Sequence, residues 1–182
     1  MQNRSSPSSI YTERLFIRRP TPDDAQAVFD RYAGDAEVTR YLGWPRHTDL
    51  SQTTSFLNFS DQQWEQDGVG PYLIFDKLDS HLIGGIGLDL QADSQAPTGY
   101  VLARDSWGCG YATEALHAMV AVARSVSIST VYALCHPDHK ASVGVLEKCG
   151  FTRESRLSNY LEFPILEPLI LSDVLRYSTT TE

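Results

Sequence analysis

Residues 99–123 constrain the fold more than any other stretch. Gly99–Ala103 reads as a strand, and it runs into the turn Trp107-Gly108-Cys109-Gly110-Tyr111-Ala112. A helical pattern follows, with Ala112, Leu116, Met119 and Ala123 recurring at spacings of four, three and four. Strand, glycine-rich turn and helix in that order require a helix packed back on a sheet. Glycines let main-chain N–H groups approach an anion closely, and a helix start adds unsatisfied donors and a positive dipole end. The turn therefore suits a phosphate. The same glycines suit a plain tight turn, and these residues alone leave both readings open.

Two nucleotide readings fail. A dinucleotide fingerprint wants a third glycine where Thr113 stands, and an acid about 20 residues on, where only strand residues surround Val131. A P-loop wants a Lys-Ser/Thr pair after its second glycine, and none is present.

The rest of the chain supplies a mixed set of elements. Tyr11–Arg19 alternates as a half-buried strand, stopped by Pro20. Thr21 caps a helix with Pro22 at its first position and Asp23 and Asp24 in its first turn. Val38–Trp44 reads as a short helical piece and Leu50–Gln66 as a longer helix. Tyr72–Phe75 and Leu82–Leu90 predict a hairpin around the turn Asp76–Ser80, followed by a polar loop, Gln91–Pro97. Thr130–Cys135 predicts a strand, His139–Cys149 a helix ended by Gly150, and Pro168–Tyr177 a last strand. Together they predict one α+β or α/β layer structure, with residues 1–9 as a disordered tail and 10–182 as a single domain.

Composition narrows the function. With 182 residues and 42% hydrophobic side chains, the chain has enough material for one core without staples. Its longest apolar run, Leu82–Leu88, has seven residues and three glycines, far short of the ~20 a membrane helix needs. Fifteen basic residues against 23 acidic ones give −8, which opposes nucleic acid as a partner. Three cysteines without a CxxC suit a reducing compartment. The polar segment Met1–Ser9 does not read as a signal peptide, so the expected location is cytoplasmic.

The pattern Trp107-Gly108-Cys109-Gly110-Tyr111-Ala112-Thr113-Glu114-Ala115 resembles the acyl-CoA pyrophosphate loop of the GNAT N-acetyltransferases, most of all the RimJ/RimL-like ribosomal-protein-alanine acetyltransferases. Gly110 and Ala112 match the superfamily pattern, and Trp107 replaces its Gln or Arg. Four more segments resemble the family in order: Glu13-Arg14-Leu15 with Ile17-Arg18; Leu82 to Leu88; Gly99-Tyr100-Val101-Leu102; and His136 to Ser142 with Leu146 to Phe151. The resemblance spans Thr12 to Tyr177. Two departures stand out: His139 where relatives usually carry Asn, and Pro97 where many carry Glu.

The resemblance implies a GNAT fold. That fold is a twisted, mainly antiparallel sheet with one splayed parallel strand pair, flanked by about four helices. It implies acetyl-CoA as co-substrate, lying between the strands Gly99–Ala103 and Thr130–Cys135. The implied cofactor contacts are Val101, Leu102, Ala103, Trp107, Gly108, Cys109, Gly110, Tyr111, Ala112, Thr113, His139 and Ser142. It also implies direct attack of a primary amine on the thioester, which needs a neutral amine, a polarised carbonyl and a proton donor for the thiolate. Leu146 holds the place of the usual donor Tyr, and Ser142 the donor place of this branch. Ser142 equally suits a local first-turn hydrogen bond. Asp89 is a candidate base acting through water, or a plain exposed loop acid. Tyr41 and Trp44, with Trp64 in the same stretch, are candidate walls of an acceptor pocket, or core aromatics. Cys135, His136 and His139 lie close together in sequence, but the remaining ligands a zinc site normally needs are not evident, so no metal is expected. The expected function is acetyl transfer to a protein N-terminus or a small amine, by a monomer or homodimer without membrane contact. The alternative is a non-catalytic acyl-CoA sensor.

Overall fold

The computed structural model describes residues 5–91 and 94–181. Its order is β1 (Ser9–Tyr11), β2 (Leu15–Arg18), α1 (Ala25–Val28), α2 (Leu50–Asp67), β3 (Pro71–Asp76), β4 (Leu82–Leu88), β5 (Gln95–Leu102), α3 (Tyr111–Ser125), β6 (Thr130–Cys135), α4 (Lys140–Lys148), β7 (Thr152–Glu162) and β8 (Leu171–Thr180). Among the described residues, all eight strands form one sheet, ordered β1-β2-β3-β4-β5-β6-β8-β7, in which only β5 and β6 run parallel. This is the α+β layer structure that the sequence predicts, with the single parallel pair that the resemblance implies.

Strand alternation explains how both faces are covered. Ile74 belongs to the larger core with Leu15, Ile17, Ile86, Leu116, Met119 and Leu146, under α3 and α4. Its neighbour Leu73 belongs to a smaller core with Val28, Tyr32 and Leu82, against which Val101 and Trp44 pack. β4 lies in the middle of the sheet and is buried along nearly its whole length. Its glycines are required by close approach: a Cβ on Gly84 would run into the Val101 carbonyl oxygen.

Several expectations are corrected. Tyr11–Arg19 is not one strand but the β1–β2 hairpin, closed where the Thr12 N–H donates to the Leu15 carbonyl at 3.0 Å. Ser6, assigned to the tail, is buried: its N–H and hydroxyl both donate to the Gly68 carbonyl, and Tyr72 Oη lies 3.0 Å from its Oγ. Residues 1–4 of that tail lie outside the described residues. Val38–Trp44 is a run of turns rather than a helix, because β-branched Val38 and Thr39 and the nearby Gly43 and Pro45 disfavour helix. Gln95–Pro97 is the start of β5, not loop. The last strand starts later and runs on to Thr180, whose partner is Thr130. β7 was not foreseen: its Arg153, Glu154 and Arg156 hide the strand pattern, and β8 creates it through pairing and through Arg156–Asp173 and Arg176–Glu154 ion pairs.

Candidate active site

β5 has two unlike flanks. Against β4 it pairs from Gly84↔Leu102 to Leu88↔Thr98. Against β6 it pairs only at Gln95↔Thr130, Ala96↔Val131 and Pro97↔Tyr132. Beyond Pro97 the strands part, and Ala133–Cys135 pair only with β8. The Ala103 N–H donates to Ile83 (2.8 Å) and the Asp89 N–H to Pro97 (3.1 Å), so odd-numbered residues of β5 face β4. Alternation then turns the main-chain groups of Thr98, Tyr100 and Leu102 into the gap. Of the three strand residues expected at the cofactor, Leu102 alone presents its main chain there; Val101 and Ala103 bond to β4. The Leu102 carbonyl accepts from Trp107 Nε1 at 2.8 Å, which folds the turn back over the end of the gap.

The turn itself uses left-handed backbone at Gly108 (φ 73°) and Gly110 (φ 80°), the latter capping α3. The first intrahelical bond is Glu114 N–H to Gly110 at 3.1 Å, so Tyr111, Ala112 and Thr113 precede any i−4 acceptor. Their N–H groups are an anion cradle at the positive end of a 15-residue helix. Arg14 holds this turn from the β1–β2 hairpin. It donates to the Cys109 carbonyl (2.9 Å) and to Glu114 (2.7 Å), and stacks over Tyr111 with 4.6 Å to the ring centroid. Burial works against the Glu114 carboxylate, but bonds from Thr12 and Arg14 prevail and hold it below the usual range. Cys109 is exposed, its Sγ 3.5 Å from the Trp107 carbonyl oxygen.

Across the gap, α4 brings up Ser142, whose Oγ lies 3.0 Å from Tyr100 Oη; Tyr100 also donates to the Ser142 carbonyl at 3.1 Å. Burial pushes the Tyr100 hydroxyl well above its usual value, so it stays protonated. Leu146 is wholly in the core. His139 caps α4, its ring stacked on Tyr41 at 4.6 Å and 17°. His136 lies 5.3 Å from Tyr41 and meets Phe163 edge-on at 5.0 Å. Burial, helped by His136, lowers the His139 imidazole below its usual value.

Tyr41 therefore reaches the α4 side of the gap. Trp44 instead packs on the smaller core and on His47, with 5.3 Å between rings. Trp64 is core, edge-on to Tyr72. Asp89 is exposed, level with the closed end of the gap, and accepts from Gln63 at 3.0 Å. Among the described residues, the side chains close enough to share an ion are Asp76, Asp79 and His81 in the β3–β4 turn, not Cys135, His136 and His139. Cys135 and Cys149 are buried, and burial pushes both thiols to about 11. Tyr100, Arg14 and Phe163 were not foreseen as site residues. Arg14 carried a signal, since it stands beside Leu15 in a segment that resembles the family.

A family profile described as an acetyltransferase (GNAT) domain matches residues 14–152. The chain belongs to the GNAT acetyltransferases. Among GNAT relatives, the uncharacterized N-acetyltransferase YoaA of Bacillus subtilis is 32% identical over 156 residues, 84% of this chain and 87% of that protein. A GNAT acetyltransferase structure from Bacillus anthracis has a TM-score of 0.81 at 24% identity, covering 95% of this chain and 98% of that one. The ribosomal-protein-S5-alanine acetyltransferase of Vibrio fischeri has a TM-score of 0.82 at 16% identity, covering 97% and 98%. The GNAT chain is thus an acyltransferase, and no helix among its described residues is long and apolar enough to cross a membrane.

Proposed function

We propose that this enzyme moves the acetyl group of acetyl-CoA to a primary amine by direct attack. The observation that carries the reading is the open flank of β5 running into the N–H cradle at the start of α3. A pantetheine arm needs amide partners, and Thr98, Tyr100 and Leu102 face the gap. A pyrophosphate needs main-chain donors at a helix start, and the residues from Gly108 to Thr113 hold them. Acetyl-CoA supplies the activated thioester. Ser142 serves as proton donor to the departing thiolate, with Tyr100 orienting its hydroxyl and replenishing the proton. Tyr41 walls the acceptor side.

The acceptor is a protein N-terminus or a small amine. The likeness to a ribosomal-protein-alanine acetyltransferase favours the former, and a net charge of −8 favours a cationic acceptor of either kind. Three free cysteines fit a reducing cytoplasm. Nothing in the comparisons supports a non-catalytic sensor. The test is release of free thiol from acetyl-CoA across a panel of peptides with free N-termini, polyamines, amino acids and amine-bearing antibiotics. Turnover with at least one class is expected, and none with any would defeat the reading.

A further inference from the structure

We propose that His139 is the proton acceptor for the attacking amine. This deepens the acetyl-transfer reading and rests on it. His139 stands where the two halves of the site meet. Its backbone opens α4, which carries Ser142 one turn on, and its ring lies flat against Tyr41 from the α1–α2 connection. Asp89 is held by Gln63 and lies level with Pro97, three residues along β5 from the Tyr100–Ser142 pair.

The two histidines are not equivalent. His136 Nδ1 accepts the Asp138 N–H at 3.1 Å, which commits its lone pair. Neither ring nitrogen of His139 has a partner among the described residues, so its lone pair is uncommitted. Its surroundings favour the neutral ring: burial first, then His136 beside it and the positive start of α4. The other charges nearby do not reverse this. Arg40 lies 5.6 Å from the Tyr41 centroid, Lys140 donates to the Pro137 carbonyl at 2.9 Å, and Asp138 is exposed. Glu162, next to Phe163, accepts from the Leu169 N–H at 3.0 Å.

In the step, the amine nitrogen bonds to the acetyl carbon and the carbon–sulfur bond breaks. The amine proton passes to His139 and on to solvent. The thiolate takes the Ser142 hydroxyl proton, which Tyr100 and then water restore.

The test uses the full chain and an amine found by thiol release. His139→Asn is expected to lower kcat by ~10²–10⁴ and to erase the acid limb of the kcat–pH profile, with the acetyl-CoA dissociation constant little changed. His139→Ala is expected to regain turnover with added imidazole, a rescue that a packing role does not provide. Full kcat with the acid limb intact in His139→Asn would overturn the proposal. So would a loss of kcat with the limb retained and no imidazole rescue, which leaves His139 a positioning residue through Tyr41. If the wild-type protein gives no amine-dependent thiol release with any amine of the panel, the transferase reading itself falls and this role falls with it.

Discussion

At one end of the open flank of β5 the chain presents backbone: left-handed Gly108 and Gly110, and the N–H groups that open α3. Across the gap from the middle of that flank it presents side chains, Ser142 on Tyr100 and His139 on Tyr41, with His136 and Phe163 alongside. The backbone end is local, made within one strand–turn–helix passage. The side-chain end joins the α1–α2 connection, β5, β6, α4 and the β7–β8 hairpin. Backbone recognition fixes a ligand shared by many proteins, because any chain with the right turn offers it. Side-chain recognition is where acceptor choice and proton transfer are set.

That division predicts different kinetic signatures. Ser142→Ala strikes the side-chain end and is expected to lower kcat by ~10²–10⁴ while leaving acetyl-CoA affinity nearly unchanged. A loss confined to KM in steady-state kinetics would make Ser142 a positioning group and blur the division. Gly110→Val strikes the backbone end. A Cβ there meets only Arg14 Nη2 at 3.5 Å, so the cost comes from the positive φ and from the bulk facing the cradle. Acetyl-CoA affinity by calorimetry is expected to fall about 100-fold or more, the loss of roughly 3 kcal/mol of charge-assisted bonds, with the fold retained. Normal affinity would mean that the turn is not the cradle.

The smallest effect tests the tether between the hairpin and the turn. Glu114→Gln removes the charge that Arg14 and Thr12 bind, at an expected cost of ~1 kcal/mol at neutral pH, modest because Arg14 is 43% exposed. The Glu114 carboxyl is lowered in the folded state. Its contribution is therefore complete above the ordinary glutamate value and is lost as pH falls through the folded one. Denaturant melts of the two proteins should converge toward acid; a constant gap would assign the cost to packing.

The same contrast explains what the sequence made legible. The turn from Trp107 to Thr113 and the helices α1 to α4 were readable because each is encoded by neighbours in sequence, whereas the single parallel pair came from the resemblance. Tyr100 was read as a strand residue, since only the packing of α4 shows that its hydroxyl meets Ser142. Trp44 and Tyr41 read alike, three residues apart, yet one packs in a core and the other on His139. β7 was hidden because its partner β8 supplies most of what makes it a strand. The splay was implied by the resemblance, but its register was not. That Leu102 rather than Val101 or Ala103 faces the gap depends on which β5 residues bond to β4.

The central claim is that the open flank of β5 and the cradle at α3 bind acetyl-CoA. Its most direct test is the thermal midpoint, with and without acetyl-CoA, alongside a calorimetric titration of the wild-type chain. A ligand bound only to the folded state adds about 2.7 kcal/mol at 100 times its dissociation constant, so a saturable rise in midpoint and one site per chain are predicted. A flat midpoint and no heat at concentrations far above micromolar would contradict it.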